Sequence, residues 1–258
     1  MVYLYYFNSL KPILLNPYLK NNEIGNVDVE KPVTIYSANS LTKEDGDYIE
    51  RKGFQDIDSS VNLWIQEKRY YPRLFISTFA FFIMYFLLSF AIRDPIPIID
   101  ELLGSFGFTF LTWSFFTKRD TKSAIAKKKK LEIKRQINKA KYDELNILNK
   151  IENFVFDLKA RDNLDIADAI ALVEGNLDLI IIDEEDKLYL DSIYYLLRTK
   201  FIFDNKNLES LYNKVKKVND SGESDEALSS KLIELGKRDK NSLILIALLI
   251  TLRKLKAK

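Results

Sequence analysis

LFISTFAFFIMYFLLSFAI, residues 74–92, is the stretch whose reading decides the fold: nineteen consecutive residues carry no charge. At a helical rise of ~1.5 Å per residue the run reaches about 28 Å, close to the ~30 Å hydrocarbon thickness of a bilayer. A second apolar run, residues 98–117, follows almost at once. Between them lies Arg93-Asp94-Pro95-Ile96-Pro97. Two prolines so close cannot sit inside a helix, because each lacks an N–H and clashes with the preceding turn. Pro97 suits the first turn of a new helix, where the missing donor costs nothing. The centre of the chain therefore reads as an antiparallel transmembrane hairpin with a short loop.

Positive charge sets the expected orientation. Lys68, Arg69 and Arg73 precede the first run, and Lys118, Arg119, Lys122, Lys127, Lys128, Lys129 and Lys130 follow the second. The loop offers Arg93 against Asp94, Asp100 and Glu101. The positive-inside rule then puts both termini in the cytoplasm, and Tyr70, Tyr71 and Trp113 fit an inner aromatic belt. The lysine-rich flank is read as a membrane anchor in contact with anionic headgroups, each cation contributing about 1 kcal/mol near the surface. Nucleic acid is not expected as a partner, since the segment lacks interleaved aromatics.

The second run is less ideal, with Asp100 and Glu101 in its first turn. Acidic residues there complement the helix dipole, so they read as interfacial caps, paired with Arg93. The alternative makes Arg93, Asp94, Asp100 and Glu101 a polar membrane site for an ion or proton. Gly104, Ser105, Gly107, Thr109 and Thr112 mark a small-residue side suited to close helix packing.

The net charge of +2 hides an asymmetry. Residues 118–141 hold 11 Lys+Arg against 2 Asp+Glu, whereas residues 142–258 hold 18 against 22. There is no Cys and no His. That removes disulfides, thiol nucleophiles, Cys/His zinc sites and His general bases. A metal site would need oxygen ligands alone; the acidic run Asp183-Glu184-Glu185-Asp186 reads as a helix start rather than a cation site, and Asp56-Ile57-Asp58 lacks the rest of a calcium loop. No glycine-rich phosphate loop, catalytic signature or fixed-period repeat occurs. No cofactor, metal or catalytic residue is expected.

After Ile98 no proline occurs, which argues for long helices. Ile133, Ile137, Ala140, Glu144, Ile147, Ile151, Phe154 and Leu158 fall in steps of four and three, a coiled-coil-like pattern with one polar interruption. Asp162/Asn163 is a candidate cap for a helix over residues 166–173, and residues 177–182 form an apolar run read as a strand or buried helix. The last helix, residues 242–252, is too short to span a bilayer and reads as the centre of a soluble helical domain. Residues 33–36 read as a short strand and residues 60–67 as an amphipathic helix. The first twenty residues do not resemble a cleavable signal, and they are expected against the membrane surface or the helical domain.

The expected fold is an all-α membrane protein: an N-terminal cytoplasmic segment (1–72) that is irregular or α+β, a transmembrane hairpin (73–117), a basic coiled-coil-like helix (118–160) and a C-terminal helical domain (161–258). The expected function is that of a non-enzymatic integral membrane protein, placed in a bacterial inner membrane. Its partners are membrane lipids and, through the cytoplasmic domain, a docked protein or further copies of itself. A subunit of a small oligomeric channel or transporter is the alternative.

Overall fold

In the computed structural model, which describes residues 1–9, 11–28, 30–91, 99–160 and 184–257, the chain is mostly helical but also carries a four-stranded mixed sheet. It divides into two units: residues 1–19, 30–53 and 136–258, and residues 20–29 and 54–135. Within those bounds, the candidate cap at Asp162/Asn163, the stretches 166–173 and 177–182, and Arg93 and Asp94 lie outside the described residues.

The first unit is built on strands β1 (Val2–Phe7), β2 (Ile13–Leu15), β3 (Val33–Ser37) and β4 (Lys141–Glu144), in the order β2-β1-β3-β4. β1 pairs antiparallel with β2 (Tyr5↔Leu15) and parallel with β3 (Leu4↔Ile35), and β3 pairs parallel with β4 (Ile35↔Tyr142). The chain is mostly helical with a small mixed sheet at its N-terminus, in keeping with the irregular or α+β segment expected there; only β4 lies outside that segment. The first fifteen residues supply two of the sheet's strands, and Leu4 and Tyr5, which point to opposite faces, are both fully buried. The long coiled-coil-like helix expected within residues 118–160 is corrected, since two helices with a strand between them occupy this stretch. One helix closes at Asn138 with short-range bonds from Lys139 N–H to the Gln136 carbonyl and from Ala140 N–H to the Ile137 carbonyl. The chain then joins β3 as an exposed strand, and a new helix starts at Asn146. Asn is a poor helix former, and at the polar interruption, Glu144, no apolar residue holds a helical seam together.

On one sheet face, Tyr5, Phe7, Leu15 and Tyr36 join a core with helices α6 (Asn146–Ala160), α7 (Glu184–Asp204), α8 (Lys206–Ser221), α9 (Glu226–Arg238) and α10 (Lys240–Ala257). α10 is buried on all sides: Leu243, Ile244, Ile246, Leu249 and Leu252 are each fully buried. Such a helix has no polar face and must be surrounded by other elements. α9 is capped by Asp225, whose carboxylate accepts from Leu228 N–H at 2.9 Å. Helix α2 (Lys43–Lys68) opens on a capping box: the Thr42 hydroxyl accepts from Asp45 N–H at 3.2 Å, and Asp45 accepts from Thr42 N–H at 3.0 Å. A Cβ at Gly53 would come within 3.2 Å of Ile137, so the side chain is absent where helix and neighbour approach closely.

Several tyrosines in this unit are held neutral. Burial pushes the Tyr5 phenol up to about 12, and it also raises Tyr18, Tyr36 and Tyr6. The Tyr6 hydroxyl also donates to Asp45 at 2.6 Å, which lowers the Asp45 carboxyl. Raised folded values make this contribution to stability complete below the unfolded tyrosine pKa of about 10, and it is lost as pH rises through the folded values. Titration of tyrosinate absorbance should therefore show a late-ionising group of tyrosines, with the urea midpoint of the first unit falling above about pH 10. Full ionisation of all tyrosines near pH 10 in the folded protein would contradict this.

The second unit contains α1 (Asn21–Asn26), residues 54–68 of α2, α3 (Tyr70–Ala91), α4 (Ile99–Thr121) and most of α5 (Ala124–Asn138). α5 is set against α2 by Lys134 Nζ, 2.8 Å from Asp58. α4 and α5 are separate helices: Ser123 accepts from Ala126 N–H at 3.3 Å and begins the second. α3 and α4 lie antiparallel, with Tyr70 against Trp113 (5.6 Å between ring centroids), Phe81 against Phe106 (5.1 Å) and Gly104 against Leu88. A Cβ on Gly104 would meet Leu88 Cδ1 at 2.7 Å. The outward faces are apolar: Phe75, Phe79 and Phe90 are 76%, 62% and 82% exposed, and Phe106, Phe110 and Leu111 are exposed on α4. Among the described residues one helix, Tyr70–Phe90, is long and apolar enough to cross a membrane. α4 carries Gly104, Ser105, Gly107, Thr109, Thr112 and Ser114 in addition to its terminal charges, which lowers its apolarity.

Candidate functional site

The best-built polar cluster sits where α3 begins and α4 ends. Arg73 is 4% exposed, although it follows a proline in the first turn of α3 and precedes a long apolar run. Its Nη1 donates to Thr117 Oγ1 at 2.6 Å, its Nη2 to the Gln66 carbonyl, and its Nε lies 3.5 Å from Asp120 Oδ2. The guanidinium also stacks over the Trp113 ring at 5.0 Å. A buried charge persists only when paired and hydrogen-bonded; Arg73 is hydrogen-bonded to Thr117 and to the Gln66 and Arg69 carbonyls, and Asp120 supplies the counter-charge without a hydrogen bond. In the sequence Arg73 stands out only as a topology charge. The signal available was its i+44 partner Thr117 and Asp120 at the matching end of the other apolar run.

Beside this cluster the helices enclose an open cavity of about 770 Å³. Cations line it from both helices: Arg69 and Arg73 from the α3 end, and Lys118, Arg119 and Lys122 from the α4 end. Pro72, Ile76, Phe115 and Phe116 supply apolar wall. Arg119 also lies over the Phe116 ring at 5.8 Å. Of the seven cations expected to touch headgroups, these three are brought together. The other four lie on α5. Lys127 and Lys128 are exposed, whereas Lys129 donates to the Val27 carbonyl at 3.3 Å and Lys130 lies 3.8 Å from Asp58.

At the opposite end of α4, Asp100 is exposed and Glu101 is 1% exposed. Both Glu101 carboxylate oxygens lack a hydrogen-bond partner among the described residues, as does the hydroxyl of fully buried Ser105 one turn on. A buried carboxylate with no partner among the described residues sets Glu101 apart from the exposed first-turn acid beside it. Among the described residues no group of acidic side chains is placed to hold a metal ion.

No family model matches the chain, and neither a characterised protein nor a solved structure matches it.

Proposed function

We propose that this chain is a non-enzymatic, two-pass integral membrane protein in which α3 and α4 form a transmembrane hairpin. Both termini are cytoplasmic, and the sheet-containing unit serves as a module for docking a protein partner or further copies of the chain. The observation that carries this reading is the apolar outward surface of the α3–α4 pair. Only 11% of the Tyr70–Phe90 window is buried, whereas a soluble core helix of that apolarity would be covered. A bilayer covers such a surface without a partner protein, and the cations gathered at one end match a cytosolic interface. The docking role is supported by β4, which is an edge strand with all four residues exposed and one side available for pairing. Carbonate washing of native membranes, followed by cross-linked co-purification, tests both parts. The reading expects retention in the pellet and a specific cross-linked neighbour. Release by carbonate overturns the anchor, and a chain that cross-links to nothing overturns the docking module.

One observation favours a second reading, a subunit of an oligomeric cation or proton conductor: the buried carboxylate of Glu101, which has no hydrogen-bond partner among the described residues. On that reading Glu101→Gln lowers flux in proteoliposomes at least tenfold, and equal flux in both proteins, or none in either, ends it.

A further inference from the structure

We infer that the cavity at the Arg73 end of the helix pair is a specific site for one anionic phospholipid, which goes beyond a general attraction of basic residues to the membrane. The inference rests on the reading of α3 and α4 as a membrane hairpin. Its first support is charge. Arg73 and Asp120 lie 3.5 Å apart and both line the cavity, so Asp120 offsets one of the five cations around it and four remain in excess. Arg69, Lys118, Arg119 and Lys122 line the cavity with no ion-pair partner among the described residues. Four uncompensated cations around one opening suit a phosphodiester anion.

Its second support is the wall. Ile76 and Phe115, 39% and 63% exposed, line the same cavity as the cations and continue into the apolar outward face of the helices. A free phosphate would cover none of this surface. A phospholipid satisfies both halves, with its phosphate among the cations and its acyl chains along the aromatic face. The cavity volume of about 770 Å³ lies inside the ~300–1,000 Å³ typical of sites for small molecules. The third support is rigidity. The wall residues flank Arg73, which is fixed by Thr117, Gln66 and the Trp113 ring, so the site is largely formed before a ligand arrives.

The test uses the full chain in nanodiscs of phosphatidylcholine with a minority of phosphatidylglycerol, with retained lipid counted by native mass spectrometry. The chain should keep one phosphatidylglycerol in preference to phosphatidylcholine. Arg69→Gln with Lys122→Gln should reduce that retention at least tenfold. Lys127→Gln with Lys128→Gln removes the same charge from exposed positions outside the cavity and should leave retention within twofold of the parent. Equal loss in both pairs, or no loss in the first, overturns a specific site. Displacement of the lipid by millimolar inorganic phosphate would overturn the lipid assignment in favour of a phosphate site. Incorporation into discs of phosphatidylcholine alone keeps the two proposals apart. A chain that incorporates there but retains no phosphatidylglycerol from the mixed discs leaves the anchor standing and the lipid site refuted, whereas a chain that incorporates into neither refutes both.

Discussion

Arg73→Ala is expected to destabilise the α3–α4 pair by about 3–5 kcal/mol, the cost of breaking a buried ion pair from one side. The loss has identifiable parts. Asp120 loses its ion-pair contact at 3.5 Å, the Thr117 hydroxyl loses a 2.6 Å partner, and the Trp113 ring loses the cation over its face. Arg73→Lys should recover only part of this, because a single ammonium cannot reproduce the planar fork that reaches Thr117, the Gln66 carbonyl and Asp120 together. Combining Arg73→Leu with Asp120→Leu should recover most of it, since no charge is then left without a partner. Trp113 fluorescence during denaturant titration in one fixed detergent is the readout, because the ring touches the altered site. A single-variant loss below about 1 kcal/mol would mean the pair is solvated and does not hold the helix ends together.

The second large effect is expected at the centre of the other unit. Leu249→Ala should cost about 2–5 kcal/mol, through lost transfer energy and a cavity that the surrounding helices cannot close. Leu249 is fully buried in the apolar centre of α10 and belongs to the core shared with the neighbouring helices. Leu188→Ala on α7 is the control: Leu188 is 76% exposed, and its truncation should change stability by less than about 0.5 kcal/mol. Both tryptophans, Trp64 and Trp113, lie in the second unit, so fluorescence does not report this region. Amide hydrogen exchange across α10 does. Protection there should fall sharply with Leu249→Ala and hold with Leu188→Ala. Equal protection in the two variants would contradict the central placement of α10.

The parts of this fold legible in the sequence are those fixed by local chemistry. The nineteen uncharged residues gave α3 and the apolar tail gave α10; of the small and hydroxyl residues of α4, Gly104 lies in close approach to Leu88, whereas Gly107 faces open space. Residues 33–36 were readable as a strand because Val, Thr, Ile and Tyr favour extended backbone. β1 was missed because both of its faces are buried, so VYLYYF lacks the apolar–polar alternation that marks a half-exposed strand. β4, KYDE, has no strand signature; its conformation comes from pairing with β3, more than a hundred residues earlier in the chain. The site divides in the same way. The cluster of cations around Lys118 was visible as charge, but Arg73's burial depends on Thr117 and Asp120 arriving from the other helix. Glu101 and Asp100 are neighbours of one chemical type, and only packing separates the buried one from the exposed one.

The central claim is that lipid covers the outward faces of α3 and α4, and a chain without native cysteine allows it to be tested directly. Single variants Phe79→Cys, Phe86→Cys, Phe106→Cys and Phe110→Cys, spin-labelled in reconstituted bilayers, report collision with oxygen and with a water-soluble nickel complex. The account predicts high oxygen and low nickel accessibility at all four positions, with Lys127→Cys showing the reverse. Nickel accessibility at positions 79, 86, 106 and 110 equal to that at position 127 would mean that water or another protein covers these helices, and the membrane hairpin would be refuted.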